Sequence, residues 1–262
     1  MIDGEFHLVV EAAMLVATGA AFLTQYKKQQ AKEKGTTIFI DDKIKKELFA
    51  QKISKKFDFL LVVDFGYLLP AWLMDQAQIA AVNVHPSALP RWRGSAPAQF
   101  ALLFGETQSA ASLIKMSARL DDGPIISQYP FAVQTDWTQT EYYQQSFKLM
   151  AKHLADDLAQ LADGQLPLQP QPQISPTPIA HKLSKNQSFI PWEILKKIIC
   201  LEKTDTSKTQ TPPTHQSITQ IKTGVLNLLP TAVGSSQLKL AQYLERASRA
   251  LLPWPGLWTI IP

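Results

Sequence analysis

Cysteine is nearly absent from this chain of 262 residues. Cys200 is the only one, so no intrachain disulfide can form, which suits a reducing compartment. Charge of one sign is also scarce: a net charge of +4 is compatible with a nucleic-acid partner but too small to argue for one. The one run worth testing as a membrane segment, Ala12 to Tyr26, follows Glu11, is rich in alanine, and falls short of the ~20 strongly apolar residues a span needs. Asp3 and Glu5 stand where a signal peptide would carry basic residues. The segment therefore reads as a buried strand and helix of a cytoplasmic protein. Also missing are C-x-x-C, H-E-x-x-H, G-x-S-x-G and any phosphate-cradling glycine loop. His7, His153, His181 and His215 are scattered without metal-ligand spacing, so no metal is expected. "DFG" at Asp64 to Gly66 has nothing else of a kinase around it and reads as a strand end and a turn.

What the chain does contain is an alternation of strand-like and helix-like segments, with 45% hydrophobic residues to build a core. "FHLVV" and the β-branched "TTIFI" read as strands, and "AFLTQYKKQQAKEKG" and "DKIKKELFAQKISKK" as helices. "FDFLLVV" and "IAAVNV" are continuous apolar runs, as expected of strands buried on both faces. "APAQFALLFG" reads as a helix closed by Gly105, and "AASLIKM" and "PIISQYPFAV" as further strands. A long helix follows, with Tyr143, Phe147, Leu154, Leu158 and Leu161 on its apolar side. This order predicts an α/β fold: a largely parallel, Rossmann-like sheet with helices on both faces, over residues 1–164.

The composition changes after Gly164. "QLPLQPQPQISPTP" holds five prolines and no charge, so residues 165–181 read as an extended, semi-rigid linker. In the remainder, 182–262, "WEILKKIICL" and "SQLKLAQYLERASRALL" have helical patterns, and a strand begins in "LWTII". Residues 202–217 lack apolar periodicity and read as a disordered, removable insertion.

The candidate chemistry lies in "NVHPSALPRWRG", residues 83–94. Asn83 and His85 are two apart on a strand, so their side chains share a face, and they sit at the carboxyl end, where open α/β sheets place ligand crevices. An Asn that caps a turn and an imidazole packed in the core would look the same. The loop that follows, stiffened by Pro86 and Pro90, suits the holding of a ligand. Arg91, Trp92 and Arg93 fit a solvated basic rim with the Trp packed on the loop. "RLDDGP", Arg119 to Pro124, is an ordinary turn composition that also supplies a carboxylate between two strands. An Asn, a His and an Asp together fit acyl or formyl transfer. The imidazole exchanges a proton near neutrality, the carboxylate orients it or relays a proton, and the carboxamide donates to an oxyanion.

"NVHPSALPRWRGSAPAQ", "LDDGPI" and the upstream "VVDFGYLLP" together resemble the formyltetrahydrofolate-dependent formyltransferases, and in the "LPRWRGSAP" form the methionyl-tRNA formyltransferases among them. "KLSKNQSFIPW" and "RALLPWPGLWT" resemble the joints around the C-terminal domain of that group. The resemblance implies that Asn83, His85 and Asp121 form the catalytic trio and that Ser87, Ala88, Leu89 and Pro90 contact the folate. It implies 10-formyltetrahydrofolate as donor and the amino group of initiator methionyl-tRNA as acceptor, in translation initiation. Asn83 and a protonated His85 would steady the oxyanion, and Asp121 would handle the proton directly or through water. It further implies an incomplete C-terminal, tRNA-binding β-barrel domain over 182–262, and a chain truncated at both ends. The first strand with its Gly-Thr-Pro loop is missing, Asp64 replaces a small residue, and a basic loop is replaced by "EAAMLVATGAAFL". Weak activity and aggregation are the expected consequences. An amino sugar or a purine precursor is the alternative acceptor, and a non-catalytic folate- or RNA-binding remnant is the alternative outside the enzymes.

Overall fold

The computed structural model describes residues 8–9, 57–65, 69–201, 224–228 and 237–261. The expected strand "TTIFI", the two helices flanking it and the insertion 202–217 lie outside the described residues. The chain divides into two compact units: residues 1–97, 107–133 and 141–182 form the first, and 98–106, 134–140 and 183–262 the second.

Among the described residues, the first unit is built on one sheet of five strands in the order β1-β2-β3-β4-β5. They are β1 (Leu8–Val9), β2 (Phe57–Val63), β3 (Ala77–His85), β4 (Gln108–Lys115) and β5 (Ile125–Ala132). Nearly every residue of β2 is buried, which is what its unbroken apolar run requires. Phe57, Leu60 and Val62 pack with Leu73 and Ala81 into a core cluster. The short helix α1 (Ala71–Met74) supplies Leu73 and follows Pro70, whose fixed φ starts the turn.

The sheet is mixed, a correction to the largely parallel arrangement expected. β1, β2 and β3 run parallel, but β4 is antiparallel to β3 and β5 antiparallel to β4. Connection length explains the second reversal. The 22 residues between β3 and β4, which include the helix α2 (Pro97–Leu103), would be enough for a parallel crossover, so length does not decide the first. The nine residues between β4 and β5 form a loop too short for any crossover.

Helix α3 (Gln139–Ala162) carries its apolar stripe on Tyr142, Tyr143, Phe147, Met150, Leu154 and Leu158, all buried, while Leu161 is half-buried at the fraying end. The stripe follows the three- and four-residue spacing of a helix face. Phe131 of β5 meets Tyr142 edge-on at 5.3 Å between ring centres. The helix ends in a left-handed glycine, Gly164 (φ +68°), with the Gln165 amide closing back on the Gln160 carbonyl at 2.9 Å.

In the second unit, the described residues hold most of α2, the helices α4 (Trp192–Leu201) and α5 (Gln237–Ala250), and 3₁₀ turns at Lys185–Ser188 and Gly224–Leu228. α4 and α5 stand where the sequence patterns place them. The strand expected in "LWTII" is reduced to a single parallel bridge between Phe189 and Trp258. Among the described residues no helix is long and apolar enough to cross a membrane.

Candidate active site

The sheet register builds the site. Val62 of β2 pairs with Asn83, and His85 pairs with Ser112 of β4, so the carboxyl end of β3 lies inside the sheet, with neighbours on both sides. Asn83 is half-buried and His85 is 4% exposed. The loop between β4 and β5 returns to the same spot and brings Asp121, 9% exposed, against both.

Each group around Asp121 has a defined partner. The Asn83 Nδ2 donates to Asp121 Oδ1 at 3.2 Å. The backbone amide of Gly94 donates to Asp121 Oδ2 at 2.9 Å. His85 Nδ1 lies 3.6 Å from the same Oδ2, and its Nε2 is 3.0 Å from the Trp92 carbonyl. A carbonyl only accepts, so that contact places a proton on Nε2 and turns Nδ1 toward the carboxylate. Asn83, His85 and Asp121 therefore converge, the first two on the strand face they share by periodicity and Asp121 as the resemblance implies.

The loop holding Asp121 is itself braced. Asp121 has a left-handed backbone, φ +50°, a conformation a non-glycine residue keeps only when its surroundings enforce it. Ser117 and Arg119 both bind Asp122, the guanidinium at 2.5 Å. Gly123 leaves no room for a side chain, since a Cβ there would meet the Lys115 carbonyl oxygen at 1.9 Å. A cleft opens beside the trio. Val62, Met74, Ile114 and Met116 give it apolar walls, and Asn83 and Asp121 stand on its lining with residues 117–120.

The segment 87–90 does not line this cleft. Ser87 is fully buried; its hydroxyl donates to the Arg91 carbonyl at 2.7 Å, and its own carbonyl accepts from Ser112 at 2.6 Å. Leu89 is buried against Ile114 and Ile125. Ala88 and Pro90 are half-buried, which leaves them the two side chains of the four with surface to offer a ligand.

The solvated basic rim expected at Arg91 to Arg93 is corrected at Arg93, while the packing of Trp92 on the loop holds. Trp92 is 2% exposed and Arg93 5%. The Arg93 guanidinium is consumed by Gln171 Oε1, at 3.1 and 2.9 Å, and by the carbonyls of Pro172 and Gln173, at 2.8 and 3.4 Å. Sequence reasoning missed the Trp92 carbonyl that fixes the His85 ring and the Gly94 amide that holds Asp121, since neither backbone group leaves a side-chain signature. Gly94 was the available clue: its φ is +123°, and a Cβ would meet the Ala180 carbonyl oxygen at 2.5 Å.

Comparison with known proteins places this geometry. A family model described as formyl transferase matches residues 10–157. The methionyl-tRNA formyltransferase of Paramagnetospirillum magneticum is 28% identical over 202 residues, 77% of this chain and 51% of that protein. That of Neisseria gonorrhoeae strain FA 1090 is 32% identical over 175 residues, 66% of this chain and 56% of that one. The chain thus spans about half the length of these two relatives. Among solved structures, HypX from Aquifex aeolicus in complex with tetrahydrofolic acid superposes with a TM-score of 0.64 at 12% identity, covering 98% of this chain and 36% of that one.

Proposed function

This chain belongs to the formyl transferase family, and from that premise we propose that it transfers a formyl group from 10-formyltetrahydrofolate to the amino group of methionyl-tRNA. The observation that carries the reading is the meeting of Asn83, His85 and Asp121, with Asn83 and Asp121 on the lining of a cleft. Two relatives bear the name methionyl-tRNA formyltransferase, and a solved structure of similar fold holds tetrahydrofolic acid, which supports a folate as the donor.

In this reading the donor ring lies in the cleft against Val62, Ile114 and Met116, while Ala88 and Pro90, on the loop outside that cleft, contact the rest of the donor. Ser87 and Leu89 act from beneath, by holding that loop. The acceptor nitrogen attacks the formyl carbon, and one C–N bond forms as the carbonyl oxygen takes up negative charge. A carboxamide carries two N–H donors. Asn83 uses one on Asp121 and offers the other to the oxyanion, a stabilisation worth roughly 10²–10³-fold in rate for one donor. Asp121 receives the proton of the attacking amine, directly or through water. The bond from the formyl carbon to N10 then breaks, and that proton goes to the leaving nitrogen. His85, fixed by the Trp92 carbonyl, turns Nδ1 toward the carboxylate and can take over the proton that Asp121 receives. Residues 1–164 serve as the catalytic part and 182–262 as part of an acceptor-binding, barrel-type domain.

The direct test is transfer of labelled formyl from 10-formyltetrahydrofolate by the full chain to three acceptors, each offered alone: methionyl-tRNA, an amino-sugar nucleotide and an amine precursor of purines. Formylation of methionyl-tRNA is expected. Preferential labelling of the sugar or the purine precursor would reassign the acceptor. Donor binding with no transfer to any of them would reduce the chain to a folate-binding protein.

A further inference from the structure

The proline-rich segment after α3 has the composition of a spacer, yet it is tied to both loops of the site. Its near end pairs with β5: the amides and carbonyls of Gln169 and Ile125 exchange two hydrogen bonds of 2.8 Å. Its far end docks on the loop after β3: the Ala180 amide donates to the Arg93 carbonyl at 2.8 Å, and the Ala96 amide to the Ala180 carbonyl at 2.9 Å. In between, Ser175 Oγ donates to the Pro90 carbonyl at 2.8 Å, and Thr177 Oγ1 accepts from the Trp92 amide at 2.7 Å. Proline suits such a path, because an extended chain without its own hydrogen bonds leaves its carbonyls and side chains for others.

Gln171 stands at the centre. Its Nε2 donates to the Asp121 carbonyl at 3.0 Å and to the Gly123 carbonyl at 2.6 Å, while its Oε1 accepts from Arg93 twice. One carboxamide thus joins the loop that carries Asp121 to the loop that carries Trp92 and Gly94. Those are the loops whose backbone groups hold His85 and the Asp121 carboxylate. Asp121 is left-handed, and Gln171 binds its own carbonyl. A side chain that grips this peptide from outside the loop is the kind of restraint such a conformation needs.

We infer that residues 165–181 are a strap that fixes the site, with Gln171 the positioning residue that sets Asp121 against His85 and Gly94. Gln171 touches neither donor nor acceptor and acts through Asp121; its effect on turnover rests on the formyl-transfer reading above, its effect on the loop does not.

Two variants of the full chain test it. Gln171→Ala removes both ends of the amide. Gln171→Glu keeps an acceptor for Arg93 and loses the donors to Asp121 and Gly123, so the strap stays anchored while its grip on the Asp121 loop goes. The Gly94 amide, which donates to the Asp121 carboxylate, reports the grip by hydrogen exchange, and the Ala96 amide, bound to Ala180, is the internal control. In Gln171→Glu, Gly94 should exchange at least tenfold faster, with Ala96 within twofold of the native chain. Turnover with 10-formyltetrahydrofolate and methionyl-tRNA should fall about tenfold with the donor KM within twofold, and it should fall no further when Gln171→Glu is added to Asp121→Ala. Unchanged Gly94 exchange overturns the inference. So does loss of protection at both amides, which would make Gln171 part of the fold, and so does a turnover loss that adds in full to that of Asp121→Ala. A native chain that transfers no formyl group refutes the function, while the exchange rates still decide the strap.

Discussion

Asp64 is a carboxyl at a position where the resemblance implies a small side chain. It follows the last residue of β2 with a left-handed backbone, φ +56°. Burial pushes its carboxyl from 3.8 up to about 7. The folded chain therefore holds this proton to higher pH than the unfolded chain does. Stability falls as pH rises from about 4 to about 7, and the full cost is present above that window. Asn is close in shape, carries no charge and tolerates the left-handed region. Asp64→Asn should thus raise stability by about 1–4 kcal/mol at pH 8 and by almost nothing at pH 4. Thermal unfolding across that range measures it, and a gain independent of pH would show that the charge of Asp64 is not what costs stability. The trio shows what was legible at this scale. Asn83 and His85 could be placed together from strand periodicity alone, whereas the turn offers two aspartates and only the resemblance singles out Asp121. Their fixing by the carbonyl of Trp92 and the amide of Gly94 could not, because backbone groups are the same at every position.

Helix α3 docks on β5 through a buried carboxylate as well as through its apolar stripe. Asp157 is 4% exposed and accepts from Ser127 Oγ at 2.5 Å and Tyr129 Oη at 2.6 Å. The Tyr129 ring also stacks on His153 at 4.0 Å, and its hydroxyl is pushed up to about 12 by burial and by its bond to Asp157. Asp157→Ala would leave two hydroxyls without their acceptor. It should cost about 1–3 kcal/mol in urea unfolding, with Asp157→Asn milder because the carboxamide oxygen still accepts. Equal stability of all three proteins would mean that the stripe alone carries the docking. The stripe was plain in the sequence, as were β2 and β3, since burial on one face or on both imposes a period that residues must obey. Strand direction was less legible: a run of buried residues is silent about it, and the 22 residues between β3 and β4 are enough for either direction. The strap was least legible. A docked and a free proline-rich segment have the same composition, and the deciding partners, Arg93 and the Asp121 loop, lie some 50 to 80 residues earlier in the chain.

For the molecule as a whole, two compact units share the chain, and the first contains the complete trio, the cleft and the strap. The chain spans about half of its relatives' length, so whether these parts suffice for transfer is the central question, and it turns on Asn83. The decisive measurement is the single-turnover rate of formyl transfer from 10-formyltetrahydrofolate to methionyl-tRNA by the native chain and by Asn83→Ala, at saturating donor. The account predicts measurable transfer by the native chain and a rate lower by roughly 10²–10³-fold in the variant, the scale for loss of one oxyanion donor, with donor affinity largely kept. Transfer by Asn83→Ala within threefold of the native rate would contradict it.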